Sequence, residues 1–161
     1  MDTLADVYYC EQHLERTLLK IAKAATHEDL LQTFEAYSSE CRRHARMCEE
    51  IFGIFGQKPR AKRCAGIMGI IQEVEEFISE NKKFPTINAV LILGGQQAVH
   101  YKMAGYGTLR EWALHLERED AAQVLGDILA DEKAADARFT KLARERFNSA
   151  AKTGEDMRMA A

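Results

Sequence analysis

A long amphipathic helix is predicted by residues 34–55, which read FEAYSSECRRHARMCEEIFGIF. The apolar and weakly polar side chains of this stretch recur at steps of three and four residues, the spacing of one face of an α-helix. That face runs through Phe34, Tyr37, Cys41, His44, Cys48, Ile51 and Phe55. A stripe of this length must bury its apolar face against other elements, so the rest of the chain should supply partner helices.

Three more long stripes and one short stripe flank this segment. We predict long helices over about 3–24, from about 26 to 53–56, from the break at Phe84-Pro85-Thr86 to about 116, and onward to about 147, with a short helix over about 67–78. Tight turns join the long helices into two hairpins, and the short helix lies in the crossover between them. The pattern predicts an all-α four-helix bundle over residues 1–147. Periodicity is lost from residue 148, so residues 148–161 are predicted to be a disordered tail.

Composition excludes several classes of protein. The chain has 161 residues, enough for one well-filled domain, and only two prolines. Its 22 basic and 25 acidic residues offer no broad basic surface for nucleic acid. No stretch approaches eighteen uninterrupted apolar residues, so no membrane span is expected. Four cysteines without a C-x-x-C pair, and a first segment unlike a signal peptide, favour reduced thiols and a cytoplasmic protein.

Two carboxylates interrupt the apolar stripes and are predicted to point into the bundle. Glu11 lies in the stripe of the first long helix, and Glu132 lies in that of the fourth. A buried carboxylate without a partner is so costly that it either protonates or pairs with a cation. A metal ion is one partner that serves several carboxylates at once, and internal pairing with a cation such as Lys102 or Arg43 is the alternative.

Counting from the hairpin turns places further polar residues at the same level. Residues equidistant from a turn lie side by side, which puts Glu40 opposite Glu11, and His44 follows Glu40 by one helical turn. In the second hairpin Glu132 and Asp136 repeat this four-residue spacing. Carboxylates with an imidazole form a ligand set for iron, manganese or zinc.

The third long helix breaks this symmetry. The counterpart of Glu11 should lie near position 102, and the residue there is Lys102, whose ammonium would compete with a metal ion. His100 points about 200° away around the helix, and Val99 lies on the useful face.

A rival zinc site would use two cysteines and two histidines from the first hairpin. Its residues are Cys10, His13, Cys41 and His44. It is disfavoured because Cys10 and His13 straddle Glu11.

Several short motifs together give the chain a resemblance to a known family. They are Tyr8-x-x-Glu11-x-x-Leu14, Glu40-x-x-x-His44, Cys64-Ala65-Gly66-Ile67-Met68-Gly69, His100-Tyr101-x-x-Ala104-x-Tyr106-Gly107-Thr108 and Glu132-Lys133-Ala134-Ala135-Asp136. Over residues 3 to 147 the sequence resembles the ferritin-like domain of the YciE/YciF family. The resemblance implies a ferritin-like bundle with its additional helix in the crossover, a homodimer, a di-metal carboxylate centre and an association with bacterial stress response.

The resemblance carries metal-ligand roles onto five residues and fails at two. The five residues are Glu11, Glu40, His44, Glu132 and Asp136. Where family members typically carry an acidic pair in the third long helix, this chain has Val99 and Lys102.

Two hypotheses for the function follow. The first is a metal-binding protein with iron or manganese in a single or partial site, zinc being less favoured. The second is a non-catalytic, stress-associated dimer in which Lys102 has replaced the metal.

Overall fold

The computed structural model describes residues 1–81 and 86–149. Within these ranges every regular element is helical. The helices are α1 (Asp2–Ala22), α2 (Glu28–Ile54), α3 (Ala65–Asn81), α4 (Ile87–His115) and α5 (Glu119–Leu142), and a π-helical turn, Ala143–Phe147, extends α5. The all-α prediction, with four long helices and a shorter one in the crossover, is confirmed.

The four long helices pack as a closed ring. The two hairpins, α1 with α2 and α4 with α5, form the most extensive contacts, and α2 packs on α5 while α1 packs on α4. Short connections make the helices of each hairpin antiparallel neighbours. The α3 helix lies outside the ring against α4. All four long helices therefore turn one face toward a common axis.

The interior consists of two apolar clusters separated by a polar layer. The cluster at one end contains Leu18, Phe34 and Phe139, and the cluster at the other contains Leu4, Phe52 and Ile128. Between them lie four fully buried residues of charged or titratable type, Glu11, His44, Lys102 and Glu132. The candidate site is thus enclosed by apolar packing on both sides.

The helix ends differ from the predicted ends by a few residues. The N-terminal cap of α2 is His27, whose Nδ1 accepts a hydrogen bond from the Asp29 backbone N–H at 3.2 Å. The helix therefore begins at Glu28, after the predicted start at about residue 26. Thr26 is held instead by Asn88, whose Oδ1 accepts from the Thr26 backbone N–H at 3.0 Å. Residues 148–149 continue the last helical segment. Phe84-Pro85 and residues 150–161 of the predicted tail lie outside the described residues.

None of the helices in the described ranges is both long enough and apolar enough to cross a lipid bilayer.

Candidate functional site

A cluster of charged side chains lies at the centre of the bundle, with one member from each long helix. Glu11 comes from α1, His44 from α2, Lys102 from α4 and Glu132 from α5, and all four side chains are fully buried. Each occupies a core-facing position of its helix, flanked by apolar residues one turn away. The sequence therefore places these polar groups where solvent cannot neutralise them, and they must neutralise one another.

Lys102 forms the centre of the cluster. Its Nζ lies 2.8 Å from Glu11 Oε2 and 2.7 Å from Glu132 Oε1. The same ammonium lies 4.8 Å from the centre of the Tyr37 ring, within range of a cation–π interaction. It is also 3.5 Å from Cys41 Sγ. One ammonium thus bridges the carboxylates of two helices, each belonging to a different hairpin.

His44 connects the buried carboxylates to the protein surface. Its Nδ1 lies 3.2 Å from Glu132 Oε1 and 3.7 Å from Glu11 Oε1. On the other side of the ring, Nε2 lies 3.2 Å from Oδ2 of Asp131, a half-buried residue. Asp131 also accepts a hydrogen bond of 2.6 Å from Arg43. The imidazole is therefore held between acidic groups on both sides.

Two tyrosines donate hydrogen bonds to the buried carboxylates. The Tyr106 hydroxyl donates to Glu11 Oε1 at 2.6 Å, and the Tyr37 hydroxyl donates to Glu132 Oε2 at 2.8 Å. Both tyrosines are buried. Each carboxylate thus has a phenol donor in addition to the shared ammonium, and such charge-assisted hydrogen bonds are the stronger ones.

The pKa shifts follow from this arrangement. Burial alone would raise the pKa of Glu11, but Lys102 and His44 outweigh it and lower that pKa from 4.5 to about 2. Burial alone would lower the pKa of His44, but Glu11 and Glu132 raise it from 6.5 to about 9. Burial also opposes the charge of Lys102, yet Cys41 and the two carboxylates raise its pKa well above the usual value. By formal charge, the two carboxylates are balanced by the ammonium and the protonated imidazole, so the net charge of the cluster is zero.

The structure brings together three of the five predicted metal ligands. Glu11, His44 and Glu132 offer ligand atoms within 4.8 Å of one another, and no other such group of three or more occurs in the described part of the chain. The expectation that Glu40 faces Glu11 is wrong. The Glu40 carboxylate instead pairs with Arg138 of α5, at 2.5 Å, at the edge of the contact between α2 and α5.

The fifth predicted ligand, Asp136, also lies outside the cluster. Its Oδ1 accepts hydrogen bonds from Gln96 at 2.9 Å and is 3.0 Å from His100 Nε2. The reason is the same for Glu40 and Asp136. Each adjoins a fully buried residue, Cys41 or Ala135, and successive residues of an α-helix are rotated by about 100°.

The rival zinc set is not assembled. The His13 ring stacks on Tyr9, with 5.4 Å between ring centres, and the group of four does not converge.

Asp131 is the member of the site that sequence reasoning missed. Its position next to Glu132 marks it as a residue beside the buried stripe, and nothing in the spacing distinguishes it from an ordinary surface aspartate.

The residues present do not fit a metal ion while Lys102 keeps its position. A cation bound by Glu11, His44 and Glu132 would have to use carboxylate oxygens that already contact the ammonium at 2.7 and 2.8 Å. A divalent ion at that distance from an ammonium would experience strong repulsion in a buried site. Ligation by His44 would also require its neutral form, whereas its pKa is raised to about 9.

Comparisons with known proteins place the chain among helical relatives over nearly its whole length. Residues 1–152 match the model of a domain of unknown function, DUF892. The chain is 34% identical over 149 residues to protein YciF of Escherichia coli (strain K12), a match that covers 92% of this chain and 90% of YciF.

Solved structures are also similar to the chain. The crystal structure of the E. coli stress protein YciF matches with a TM-score of 0.86 at 33% identity, covering 91% of this chain and 93% of that one. The structure of YcfI, a proposed structural protein from Rhodopseudomonas palustris, matches with a TM-score of 0.82 at 33% identity, covering 86% of this chain and 88% of that one.

Proposed function

Because the chain belongs to the DUF892 family, we propose that it is a stress-associated structural protein built on a ferritin-like bundle, in which Lys102 stands where a metal ion would. In this proposal the protein performs no redox chemistry at its centre, and the buried charges serve to hold the four helices together. The stress association comes from the similarity to YciF, and the structural role agrees with the description of YcfI.

One observation carries the proposal, namely the contact of the Lys102 ammonium with two buried carboxylates. The cluster is already neutral, because two cations balance two anions. A metal ion would add charge to a balanced site instead of relieving an unbalanced one. The tyrosine hydroxyls further occupy carboxylate oxygens that a metal would use.

Metal loading tests the proposal directly. The full chain is purified without chelator, loaded anaerobically with Fe(II) or Mn(II), desalted and analysed for metal. We expect the wild type to retain less than about a tenth of a metal ion per chain, because a ligand set must be free and deprotonated to bind. If the wild type retains about one ion, or oxidises Fe(II) faster than buffer does, the proposal is wrong.

The substitution Lys102→Glu sharpens this test. Removing the ammonium and adding a carboxylate should create metal uptake, since the cluster then has three carboxylates and one imidazole. Lys133→Glu is a matched control, because Lys133 follows Glu132 in α5 but is exposed. We expect metal uptake with Lys102→Glu and none with Lys133→Glu.

A second candidate function is a single iron or manganese site at the same place. The close approach of Glu11, His44 and Glu132 favours it, since their ligand atoms lie within 4.8 Å of one another. It requires the Lys102 side chain to withdraw and His44 to lose its proton. Under this candidate the wild type would bind metal, and more tightly as the pH rises from 7 toward 9.

The proposal includes a homodimer, which the family resemblance implies, and a cytoplasmic location, which the cysteine pattern favours. Light scattering coupled to gel filtration tests the dimer, with a mass of twice the 18.2 kDa chain expected. A monomer over the micromolar range would remove this part of the proposal and leave the account of Lys102 untouched.

A further inference from the structure

Two buried cysteines outside the charge cluster lie side by side where α1, α3 and α4 meet. Cys10 belongs to α1, and Cys64 is the residue immediately before α3. Both are buried in the same apolar cluster, and Cys64 is among the groups that act on the Cys10 thiol. Beside them, the Tyr9 hydroxyl of α1 lies 3.4 Å from Met68 Sδ of α3, which places the two elements against each other at this level. The Tyr101 hydroxyl of α4 lies 2.9 Å from Cys64 Sγ. We propose that Cys10 and Cys64 form a reversible disulfide when the protein meets a hydroperoxide, so that this junction is a redox-sensitive modification site.

The other two cysteines have different surroundings. Cys41 Sγ lies 3.5 Å from the Lys102 ammonium, and Cys48 Sγ lies 3.4 Å from the Tyr106 hydroxyl. Both therefore belong to the surroundings of the central charge cluster. Cys10 and Cys64 are the pair that joins two separate parts of the fold, the first helix and the start of the crossover helix.

Cys64 is the more accessible member of the pair. The residues before it, 57–63, have no regular structure and are all exposed, and Ala65 and Gly66 after it are exposed as well. Tyr101, which covers the thiol, is itself 37% exposed. Cys10 has no exposed surface, whereas Cys64 keeps 4%, so Cys64 is the sulfur that a small oxidant reaches first.

The segment before Cys64 is attached to α1 by a backbone hydrogen bond and by ion pairs. The Lys62 backbone N–H donates to the Ala5 carbonyl at 3.1 Å. Arg60 and Lys62 both form ion pairs with Asp2 at the start of α1. A covalent bond between Cys10 and Cys64 would add to an attachment that already exists between this segment and α1.

The chemistry balances with hydrogen peroxide as the oxidant. The Cys64 sulfur attacks one peroxide oxygen, the O–O bond breaks, and the products are a sulfenic acid and water. The Cys10 sulfur then displaces the hydroxyl group from Cys64, the S–S bond forms, and the thiol proton leaves with that hydroxyl as a second water. Over the two steps together, two thiols are oxidised to one disulfide and one hydrogen peroxide is reduced to water. The hydrogen bond between Cys64 and Tyr101 is lost, which releases the Tyr101 hydroxyl toward solvent.

Peptide mapping of the wild type tests the proposal. The reduced full chain is treated with stoichiometric hydrogen peroxide, alkylated with N-ethylmaleimide in denaturant and digested with trypsin. The sequence places each cysteine in its own tryptic peptide, with Cys10 in residues 1–16 and Cys64 in residues 64–82. We expect these two peptides to be joined, two maleimide adducts in place of four, a mass lower by about 2 Da before alkylation, and full reversal by dithiothreitol.

Three outcomes would overturn the proposal. They are alkylation of all four thiols after peroxide treatment, a linkage that joins any other pair, and accumulation of Cys64 sulfinic acid without a link. Cys10→Ser should trap the intermediate as a Cys64 adduct with dimedone, a reagent selective for sulfenic acid. Cys48→Ala is the matched control and should leave the 1–16 to 64–82 linkage unchanged. These readouts do not depend on metal content. The disulfide proposal is therefore tested independently of the proposal for Lys102.

Discussion

Removing the amino group of Lys102 should leave two carboxylates in the core with too little positive charge. Lys102→Met keeps the length and much of the apolar surface of the side chain, so the substitution changes mainly the charge. Glu11 and Glu132 would lose a partner at 2.8 and 2.7 Å, and only His44 would remain to balance them. The buried cluster would then carry a net charge of minus one at neutral pH.

The size of the effect follows from the complete burial of the cluster. Breaking a buried ion pair by removing one partner costs about 3–5 kcal/mol, because the remaining charge is left without compensation. A domain of this size has a total free energy of unfolding of about 5–15 kcal/mol. We therefore expect Lys102→Met to lose roughly a fifth or more of the stability at pH 7.

Urea denaturation followed by circular dichroism at 222 nm measures this loss. Lys133→Met, an exposed lysine in α5, is the control and should change the free energy of unfolding by less than about 0.5 kcal/mol. The deficit of Lys102→Met should shrink toward pH 4, because the unpaired buried carboxylates can then protonate. A loss of less than about 1 kcal/mol at pH 7, or one that does not depend on pH, would refute the view that Lys102 neutralises the cluster.

Two further predictions concern pH and packing. The pKa of His44 is raised from 6.5 to about 9, so its contribution to stability is complete below about pH 6.5 and is lost as the pH rises through 9, on the order of 3 kcal/mol. Thermal melts between pH 6 and 10 should show this decline. His44→Gln should flatten it, whereas the control His100→Gln, at an exposed site, should not. An unchanged profile in His44→Gln would contradict the assignment. A Cβ atom at Gly94 would lie 2.2 Å from a Val74 methyl group, so Gly94→Ala should cost about 1–3 kcal/mol. Gly69→Ala, in open space on α3, should instead stabilise by about 0.5–1 kcal/mol, and urea midpoints that reverse this order would count against the α3–α4 packing.

The helices could be predicted from the sequence because their apolar stripes are long and regular. The start of α2 was misplaced for a reason that spacing does not reveal. Thr26 has the residue type of a helix cap, but its backbone N–H is bonded to Asn88, which is far away in the chain. The packing of the two hairpins decides such a long-range contact, which local spacing cannot predict. The next residue, His27, caps the helix instead.

The centre of the site could also be predicted, but its edge could not. Glu11 and Glu132 interrupt apolar stripes, so periodicity alone places them inside, and counting levels from the second hairpin turn places Lys102 beside them. Glu40 and Asp136 were chosen by symmetry, which fixes the level of a residue along the bundle but not the rotation of its side chain. Helix geometry sets that rotation: each residue adjoins a fully buried position, Cys41 or Ala135, and is turned about 100° from it, so symmetry alone overlooks the outward orientation.

The sharing of the central cluster among four helices has an evolutionary consequence. Since each charge is balanced by the others, a mutation at any one of the four positions leaves an uncompensated charge in the core. A descendant that exchanged Lys102 for an acidic residue would be selected against unless a metal ion or a second mutation restored neutrality. Substitutions at positions 11, 44, 102 and 132 are therefore expected to be inherited in matched combinations, with a lysine in one lineage and a ligand in another.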